Sequence, residues 1–411
     1  MKKELIRPEV LAPAGTLEKL KTAIHYGADA VYIGGEAYGL RSRAGNFTYD
    51  EMREGIAYAK EHQAKVYVAA NMVTHEGDAA GAGAFFRELR DIGISAVIVS
   101  DPALIEICIT DAPGLPVHLS TQASATNYET LNYWQDEGLE RVVLAREVSM
   151  EEIAKMRENT DVEIEAFIHG AMCISYSGRC VLSNHMSKRD ANRGGCSQSC
   201  RWKYDLFDLP MAGERRSLTS QGTEVEPFSM SSVDMAMIEH IPDLIQNGVN
   251  SFKIEGRMKS IHYVSTVSNV YKAAVDSYMA DPENYICKQE WIDELWKVAQ
   301  RELASGFYYQ RPSENEQLFG PRRKIPVYAF VGQVLAYDEQ TKIATVQQRN
   351  AFSVEDEVEF YGPGFKHFSQ IITSMRNEDN EVIDRAPNAM MTVYMPVSQP
   401  VSPGDMIRKK K

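Results

Sequence analysis

Four of the six cysteines of the chain lie close together, at Cys173, Cys180, Cys196 and Cys200. Their spacing is C-x6-C-x15-C-x3-C. Thiolates gathered in this way suit a soft tetrahedral site, either structural zinc or an iron–sulfur cluster. The C-x2-C pairs typical of zinc ribbons are absent from the sequence, which favours a cluster. Zinc and free thiols stay open as the other two interpretations.

The N-terminal residues and the distribution of apolar residues indicate the cellular compartment of the protein. The first residues, Met-Lys-Lys-Glu-Leu-Ile-Arg-Pro, lack the apolar stretch of a secretion signal. No run of apolar residues approaches the roughly 18 that a membrane span requires. We therefore expect a soluble cytoplasmic protein with no membrane partner. In such a compartment, clustered cysteines indicate metal or redox chemistry rather than disulfides. The isolated Cys108 and Cys287 indicate ordinary packing or surface roles.

Charged and amide side chains follow the C-terminal ends of several predicted strands. Guanidinium groups bind carboxylates through two parallel hydrogen bonds, so such a set could hold a multiply anionic ligand. Taken singly, each residue could equally be a structural ion-pair partner or a loop cap. The candidates of this kind are Glu36, Arg41, Arg43, Asn71, Asp101, Gln122, Arg146, Glu147, His169, Glu255, Arg257 and Lys259.

A basic strip runs from Arg179 to Lys203, with a local net charge of +5. Basic residues interleaved with aromatic ones are typical of single-stranded RNA binding, where phosphates meet charge and bases stack. A solvated loop is the alternative. The net charge of −13 disfavours nucleic acid elsewhere on the surface, so an RNA contact must be local. The candidate RNA-binding residues are Lys188, Arg189, Arg193 and Trp202.

Two further basic runs lie towards the C-terminus, at Arg322–Lys324 and in the tail Arg408–Lys411. They could add phosphate contacts, or the tail could be only a solvated end.

Eight short β-branched runs alternate with helical patterns in the first part of the chain. The pattern predicts a (β/α)8 TIM-like barrel, with an open doubly wound sheet as the alternative. The longest interval separates the seventh and eighth runs, and this insertion, about residues 171–227, carries the four clustered cysteines. The predicted strands are 10–13, 30–34, 65–69, 96–100, 117–120, 141–145, 162–169 and 251–255.

The pattern changes towards the C-terminus. Two helices are predicted, Ile261–Met279 and Glu290–Ser305, followed by short strands with turn signals. We expect a barrel domain over residues 1–320 and a small β-barrel domain over residues 321–411. The predicted strands of the second domain are 328–335, 343–347, 357–361, 370–373 and 392–396.

Several hydrolase and nucleotide-binding motifs are missing. The sequence contains no H-E-x-x-H, no G-x-S-x-G, no P-loop and no G-x-G-x-x-G. A hydrolase would have to depend on Cys173 and His169, which are equally well explained as a metal ligand and its neighbour.

A resemblance to the collagenase-like peptidase family, peptidase family thirty-two of unassigned catalytic type, is carried by one long segment. It reads Glu165-Ala-Phe-Ile-His-Gly-Ala-Met-Cys173-Ile-Ser-Tyr-Ser-Gly-Arg-Cys180-Val-Leu-Ser183. The likeness covers the whole chain, and its other motifs are Leu11-Ala-Pro-Ala-Gly15, Ala30-Val-Tyr-Ile-Gly-Gly35, Ser120-Thr-Gln122 and Lys253-Ile-Glu-Gly-Arg-Met-Lys-Ser260.

Within that family the chain looks most like bacterial tRNA hydroxylation proteins. The resemblance implies formation of 5-hydroxyuridine at the wobble position, prephenate as the oxygen source and a 4Fe-4S cluster. By position, the ligands would be Cys173, Cys180, Cys196 and Cys200. Some relatives take the fourth cysteine from the region that matches Ser231–Met237, where this chain has none. The catalytic residues would come from Arg146, Glu165, His169, Glu255 and Arg257, and the co-substrate contacts from Arg41, Arg43, Asn71 and Gln122.

Three functions stay open from the sequence. The first is tRNA modification, with tRNA and prephenate as partners. The second is peptide hydrolysis, which needs an activated nucleophile and an oxyanion site. The sequence contains no recognisable motif for either. The third is a non-catalytic iron–sulfur protein that works with a homologous partner subunit.

Overall fold

The computed structural model describes residues 5–39, 46–204, 229–313, 316 and 326–411, and the backbone of two short strands within 205–228. The chain forms two compact units. The first comprises residues 1–17, 29–258 and 301–323, and the second residues 18–28, 259–300 and 324–411. The predicted boundary between residues 320 and 321 lies outside the described residues. None of the helices in the described ranges has the length and apolar character needed to cross a membrane.

Eight parallel strands close into a barrel in the first unit. Strands β1 to β7 pair in chain order, β11 pairs with β1, and β11 also pairs with β7, which closes the barrel. The predicted eight-stranded barrel is thus confirmed. The strands of this unit are β1 Glu9–Pro13, β2 Ala30–Gly34, β3 Lys65–Ala70, β4 Ala96–Val99, β5 Val117–Leu119, β6 Arg141–Val143, β7 Glu163–Ala171, β8 Phe207–Asp208, β9 Arg216–Ser217, β10 Asp234–Ala236, β11 Ser251–Ile254 and β12 Leu303–Ala304.

The helices begin where the sequence supplies caps. Thr48 with Glu51, and Ser149 with Glu152, form capping boxes that satisfy the first N–H groups of α2 and α6. The Asp101 carboxylate caps α4, with Pro102 at the first helical position. The helices are α1 Leu17–His25, α2 Tyr49–Glu61, α3 Ala82–Ile92, α4 Pro102–Asp111, α5 Tyr128–Asp136, α6 Met150–Asn159, α7 Leu182–Ser187, α8 Ile241–Gln246, α9 Ile261–Ala280 and α10 Gln289–Val298.

The described part of the insertion after β7 contains little regular structure. It holds α7, the two-residue strands β8 and β9, and three single turns of 3-10 helix, at Tyr176–Gly178, Ala191–Arg193 and Ser199–Arg201. The chain then returns through β10, which pairs antiparallel with the end of β7, and β12 pairs parallel with β10. This segment therefore begins at the C-terminal end of a barrel strand, where barrel enzymes build their active sites.

The second unit contains an antiparallel sheet in the order β17-β16-β22-β13-β14-β21-β18-β19. Alternate residues of its strands form an apolar core that includes Val334, Val346 and Phe360. The all-β character predicted for the C-terminal region is confirmed. The strands are β13 Tyr328–Asp338, β14 Ile343–Gln348, β15 Phe352–Ser353, β16 Glu357–Gly362, β17 Lys366–Ile371, β18 Met375–Arg376, β19 Val382–Ile383, β20 Arg385–Ala386, β21 Thr392–Pro396 and β22 Met406–Lys410.

The predicted bounds of two elements in the C-terminal region are wrong. The helix predicted to run to Ser305 ends at Val298, because Ala299 is extended and residues 303–304 form β12. The strand predicted over 370–373 lies instead at Lys366–Ile371, paired with β16.

The basic tail is only partly a solvated end, since Lys410 and Lys411 are exposed but Arg408 is not. Arg408 lies in β22 and is fully buried, with its guanidinium bonded to Glu294 at 2.8 Å and to Glu359 at 3.0 Å. Lys297 contacts the same two carboxylates, at 2.7 and 3.0 Å. Burial raises the pKa of Glu359, but the hydrogen bonds and charges of Arg408 and Lys297 outweigh it and lower the pKa to about 2. Arg408 is therefore a structural cation of this unit rather than a phosphate contact.

Candidate functional site

A cavity of about 460 Å³ lies at the C-terminal ends of the barrel strands. Its floor is made by inward-facing side chains of the barrel, and its wall by the loops after the strands and by the insertion. The floor is apolar except for Lys253, and its other members are Tyr32, Ala69, Ile98, Val143 and Phe167. A mostly apolar pocket with a few convergent polar groups is the usual form of a small-molecule site.

Charged side chains fill the barrel interior beneath this floor. Glu165 is fully buried and accepts from Lys253 Nζ at 2.5 Å and from Arg141 Nη1 at 3.1 Å. Arg141 also contacts Glu9 at 2.8 Å, and Glu9 accepts from the Tyr67 hydroxyl. Burial alone would raise the pKa of Glu165, but Lys253 and Arg141 together lower it to about 2. Glu165 is therefore ionised at neutral pH and is neutralised by two cations.

Arg146 is held in the cavity wall by three contacts. Its guanidinium lies 3.8 Å from the centre of the Phe167 ring and donates to the Ala171 carbonyl at 2.7 Å. The third contact, with Glu255, is long at 3.5 Å. Stacking on the ring and bonding to the backbone fix the guanidinium plane, and both Arg146 and Glu255 line the cavity as predicted candidates.

Arg257 reaches the cavity across the ends of β1 and β2, and two glycines make room for it. A Cβ atom at Gly34 would lie 1.9 Å from Arg257 Nη1, and one at Gly15 would lie 2.5 Å from the Arg257 carbonyl oxygen. Both glycines belong to family motifs noted in the sequence. Both positions must therefore be glycine because Arg257, more than 200 positions away in the sequence, occupies the space of a side chain. The sequence alone did not indicate this role.

Amide side chains supply the uncharged polar wall. Asn71 donates to the Ser120 hydroxyl at 3.1 Å, and the buried Gln122 presents its side chain to the cavity. The Gln122 carbonyl accepts from Arg179 Nε at 2.5 Å, which ties the loop after β5 to the insertion. Both predicted amide candidates are thus brought to the same cavity as Arg146 and Arg257.

All four clustered cysteines line this cavity. They all belong to the described residues, and no three of their sulfur atoms lie mutually within 4.8 Å. Tetrahedral zinc, with Zn–S bonds of about 2.3 Å, holds its sulfur ligands about 3.8 Å apart. Burial raises the pKa of the Cys173 and Cys200 thiols, and the neighbouring thiols raise both further. The thiols as placed are therefore too far apart to ligate a single zinc ion together.

The backbone of Cys180 is held by one side chain of the insertion. The Asn192 amide accepts from the Cys180 N–H at 3.1 Å and donates to the Cys180 carbonyl at 3.0 Å. The Asn192 carbonyl in turn accepts from the Val73 N–H at 3.0 Å, in the loop after β3. Asn192 therefore fixes the position of Cys180 relative to the loop after β3 of the barrel.

A second tie connects the insertion to the loop after β6. The Glu147 carboxylate accepts from both the N–H and the hydroxyl of Ser177 at 2.6 Å. Ser177 lies between Cys173 and Cys180 and has a left-handed backbone, with φ +47°. The hydrogen bonds to Glu147 hold the loop in this conformation, which is uncommon for residues other than glycine.

The basic strip divides into two groups. Arg189 lines the cavity and Lys188 is the C-cap residue that follows α7. Trp202 is 41% exposed and is not among the residues that line the cavity. Arg193 instead donates to the Val73 carbonyl and bonds the Asp78 carboxylate with two nitrogens. This pairing lowers the pKa of Asp78 to about 2. The Arg193 charge is thus engaged within the protein, where it anchors the insertion.

Other sequence candidates lie elsewhere. Glu165 lies beneath the cavity floor, and the buried His169 is not among the residues that line the cavity. Arg41 and Arg43 lie outside the described residues. Sequence reasoning missed Lys253, although Lys253, Glu255 and Arg257 alternate along the chain and all three line the cavity. Period-two alternation at a strand end was the signal that could have identified it.

Comparison with known proteins covers both units. Residues 15–318 match the model of peptidase family U32, and residues 326–408 match that of the peptidase family U32 C-terminal domain.

Three relatives illustrate the range of the family. The chain is 51% identical to tRNA hydroxylation protein P1 of Bacillus subtilis, over 98% of this chain and 95% of that protein. It is 31% identical to a collagenase of Porphyromonas gingivalis, over 97% of each chain. It is also 36% identical to an Escherichia coli synthase of 5-hydroxycytidine in 23S rRNA, over 67% of this chain and 40% of that one. The chain therefore belongs to peptidase family U32.

Proposed function

We propose that this protein hydroxylates uridine at the wobble position of tRNA, with prephenate as the oxygen source and a 4Fe-4S cluster on Cys173, Cys180, Cys196 and Cys200. The observation that carries the proposal is the meeting of four thiols with Arg146, Glu255 and Arg257 at one cavity. Two relatives bear names for RNA hydroxylation, one on tRNA and one on rRNA. This combination favours redox chemistry on RNA with an anionic co-substrate.

The donor set supports the cluster. Four thiols gathered in one wall would repel one another as thiolates unless a metal compensates their charge, and soft ligands select iron–sulfur clusters or zinc. When bound, the cluster would supply redox or Lewis-acid chemistry at the cavity wall. The task of the protein is to hold the cysteines in place, which Asn192 does at Cys180 and Glu147 does at the intervening loop.

The two arginines of the cavity suit a dicarboxylate such as prephenate. Arg146 is oriented by the Phe167 ring and the Ala171 carbonyl, and Arg257 is confined by Gly34. A planar guanidinium held in one orientation binds a carboxylate with little further loss of side-chain entropy. Asn71 and Gln122 would orient the uncharged part of the ligand. Arg41 and Arg43 stay candidates of the same kind.

Part of the basic strip suits RNA, since Lys188 and Trp202 are exposed and Arg189 is half-buried at the cavity. Lys188 and Arg189 would contact phosphates, and Trp202 would stack on an unpaired base at the mouth of the cavity. Because Arg193 already binds Asp78, we assign it the task of fixing the insertion rather than contacting phosphate. RNA binding by this strip should weaken as salt rises, since phosphate contacts release counterions.

Peptide hydrolysis is the weaker alternative, although one relative is named a collagenase. A cysteine nucleophile needs a lowered pKa and a nearby base. Burial instead raises the pKa of the Cys173 thiol, and His169 is absent from the residues that line the cavity. The geometry of the described residues therefore favours cysteine as a ligand rather than as a nucleophile.

The deciding experiment uses purified, iron-loaded protein with tRNA from a deletion strain and prephenate. Nucleoside mass spectrometry should detect 5-hydroxyuridine, and omission of prephenate should abolish it. A product made by the protein alone would also exclude a purely non-catalytic partner role. Gelatin hydrolysis by the same protein, without any hydroxylated uridine, would overturn the proposal in favour of the peptidase.

A further inference from the structure

Lys253 is the charged group on the floor of the cavity, below the arginines of the wall. We propose that its ammonium binds a carboxylate of the small-molecule co-substrate at the deepest point of the site, with Glu165 as the residue that positions it. The inference rests on the proposed function, because it concerns the same cavity and the same anionic ligand.

The hydrogen bonds of Lys253 are incomplete. An ammonium group has three N–H donors. Among the described residues it makes one hydrogen bond, to Glu165 Oε1 at 2.5 Å. Lys253 is only 5% exposed and is one of the residues that line the cavity. Buried donors are rarely left without a partner, and a ligand oxygen in the cavity would supply one.

The aromatic rings around the Lys253 ammonium make this position selective for an anionic group of the ligand. Its nitrogen lies 4.8 Å from the centre of the Tyr32 ring and 5.6 Å from that of Phe167. The same Phe167 ring carries the Arg146 guanidinium at 3.8 Å, so two cations lie against one aromatic side chain. In an apolar floor with a low local dielectric, an anionic oxygen is attracted more strongly than in water. A ligand should therefore enter with a carboxylate first.

Glu165 holds the Lys253 side chain in position. It is fully buried, does not line the cavity and is also bonded to Arg141 at 3.1 Å. Its carboxylate lies 2.5 Å from Lys253 Nζ, so the ion pair fixes the direction in which the lysine side chain extends. In this proposal Lys253 acts as an ion-pairing hydrogen-bond donor, and it should not form an imine with a 2-oxo acid.

The test is the affinity of iron-loaded protein for prephenate, measured by calorimetry in the parent and in four variants. Lys253→Met removes the charge with little change in length. The double variant Glu165→Gln with Lys253→Met replaces the buried pair by neutral groups, which protects the fold if the single variant is unstable. Glu165→Gln alone tests the positioning role. Lys65→Met is the matched control, since Lys65 pairs with Glu9 at 3.3 Å and does not line the cavity.

We expect Lys253→Met to weaken prephenate binding at least about tenfold, the effect of losing a hydrogen bond to a charged group. Glu165→Gln should weaken binding in the parent but have no further effect once Lys253 is Met, because it acts through Lys253. Lys65→Met should bind as the parent does. Borohydride treatment of the parent with prephenate should leave the mass of the protein unchanged.

Other outcomes separate the two proposals. Equal affinities of the parent and Lys253→Met would overturn the role of Lys253 and leave the proposed hydroxylation intact. A borohydride-trapped adduct on Lys253 would overturn the ion-pair role in favour of a nucleophilic lysine. If the parent does not bind prephenate at all, both the oxygen donor and the assignment of Lys253 are wrong, while nucleoside analysis of the deletion strain still decides the hydroxylation itself.

Discussion

Replacing Gly34 by alanine should disable the cavity while leaving the barrel folded. The added Cβ would lie 1.9 Å from Arg257 Nη1 and 2.7 Å from its Cζ, so the guanidinium must move by about 1.5 Å to reach an ordinary contact of 3.4 Å. The backbone at Gly34 has no left-handed φ, so alanine meets no backbone strain there. The whole effect therefore falls on the position of Arg257.

The expected magnitudes follow from this displacement. Overpacking at a buried site costs about 1–3 kcal/mol of the free energy of unfolding. A misplacement of about 1 Å in a positioning group can cost roughly a hundredfold in rate. We therefore expect a modest fall in the urea midpoint together with a loss of about two orders of magnitude in the rate of 5-hydroxyuridine formation and a clear weakening of prephenate binding.

Gly35→Ala is the matched control, one residue along the same chain. A Cβ there meets the flexible end of Met52 at 3.3 Å and the Phe85 ring at 3.5 Å, so small side-chain shifts accommodate it. This variant should keep its activity. If Gly34→Ala modifies tRNA and binds prephenate as the parent does, Arg257 does not act from its position beside Gly34, and the argument from its confinement fails.

Three further predictions concern other parts of the molecule. Replacing any of the four clustered cysteines by serine should remove most of the iron and sulfide, because a hydroxyl is a harder ligand, whereas Cys108→Ser should leave the iron content unchanged. Lys188→Glu with Arg189→Glu should lower the affinity for tRNA and flatten its dependence on salt in a filter-binding assay, with the visible spectrum of the cluster preserved. Glu359, with its pKa lowered to about 2 by Arg408, should contribute stability above pH of about 4 that is lost as the pH falls towards 2, so Glu359→Gln should weaken the acid dependence of the urea midpoint.

The sequence predicted the barrel because the barrel depends on local, repeated signals. Each strand is a short β-branched run, and helices such as α2 and α6 begin at capping boxes that can be read directly. The position of the insertion followed from the irregular spacing between strands. Errors arose where local signals were weak, as at the end of α10, where Ala299 leaves the helix although alanine favours it.

The sequence predicted which residues lie at the C-terminal rim of the barrel, but it did not predict the contacts that each of them makes. Strand ends meet at one rim of a barrel, so strand positions alone assign Asn71, Gln122, Arg146 and Arg257 to one place. The sequence could not indicate that Arg193 would pair with Asp78, because that contact joins segments more than 100 residues apart. The sequence could not predict that Arg408 is buried against Glu294 either, because these two residues are also more than 100 positions apart.

The net charge of the residues that line the cavity relates the cysteines to the arginines. Among the described residues that line it, five are cationic, namely Arg146, Arg189, Arg201, Lys253 and Arg257, and only Glu255 is anionic. Glu165, beneath the floor, already offsets the charge of Lys253, and the remaining excess of three positive charges in a partly closed cavity is costly unless something compensates it. A cluster ligated by four thiolates and a dicarboxylate co-substrate are both anionic, so each would compensate a part of this excess. The charge balance of the cavity therefore accommodates both ligands at once, as a reaction that brings a cluster and an anionic oxygen donor together requires.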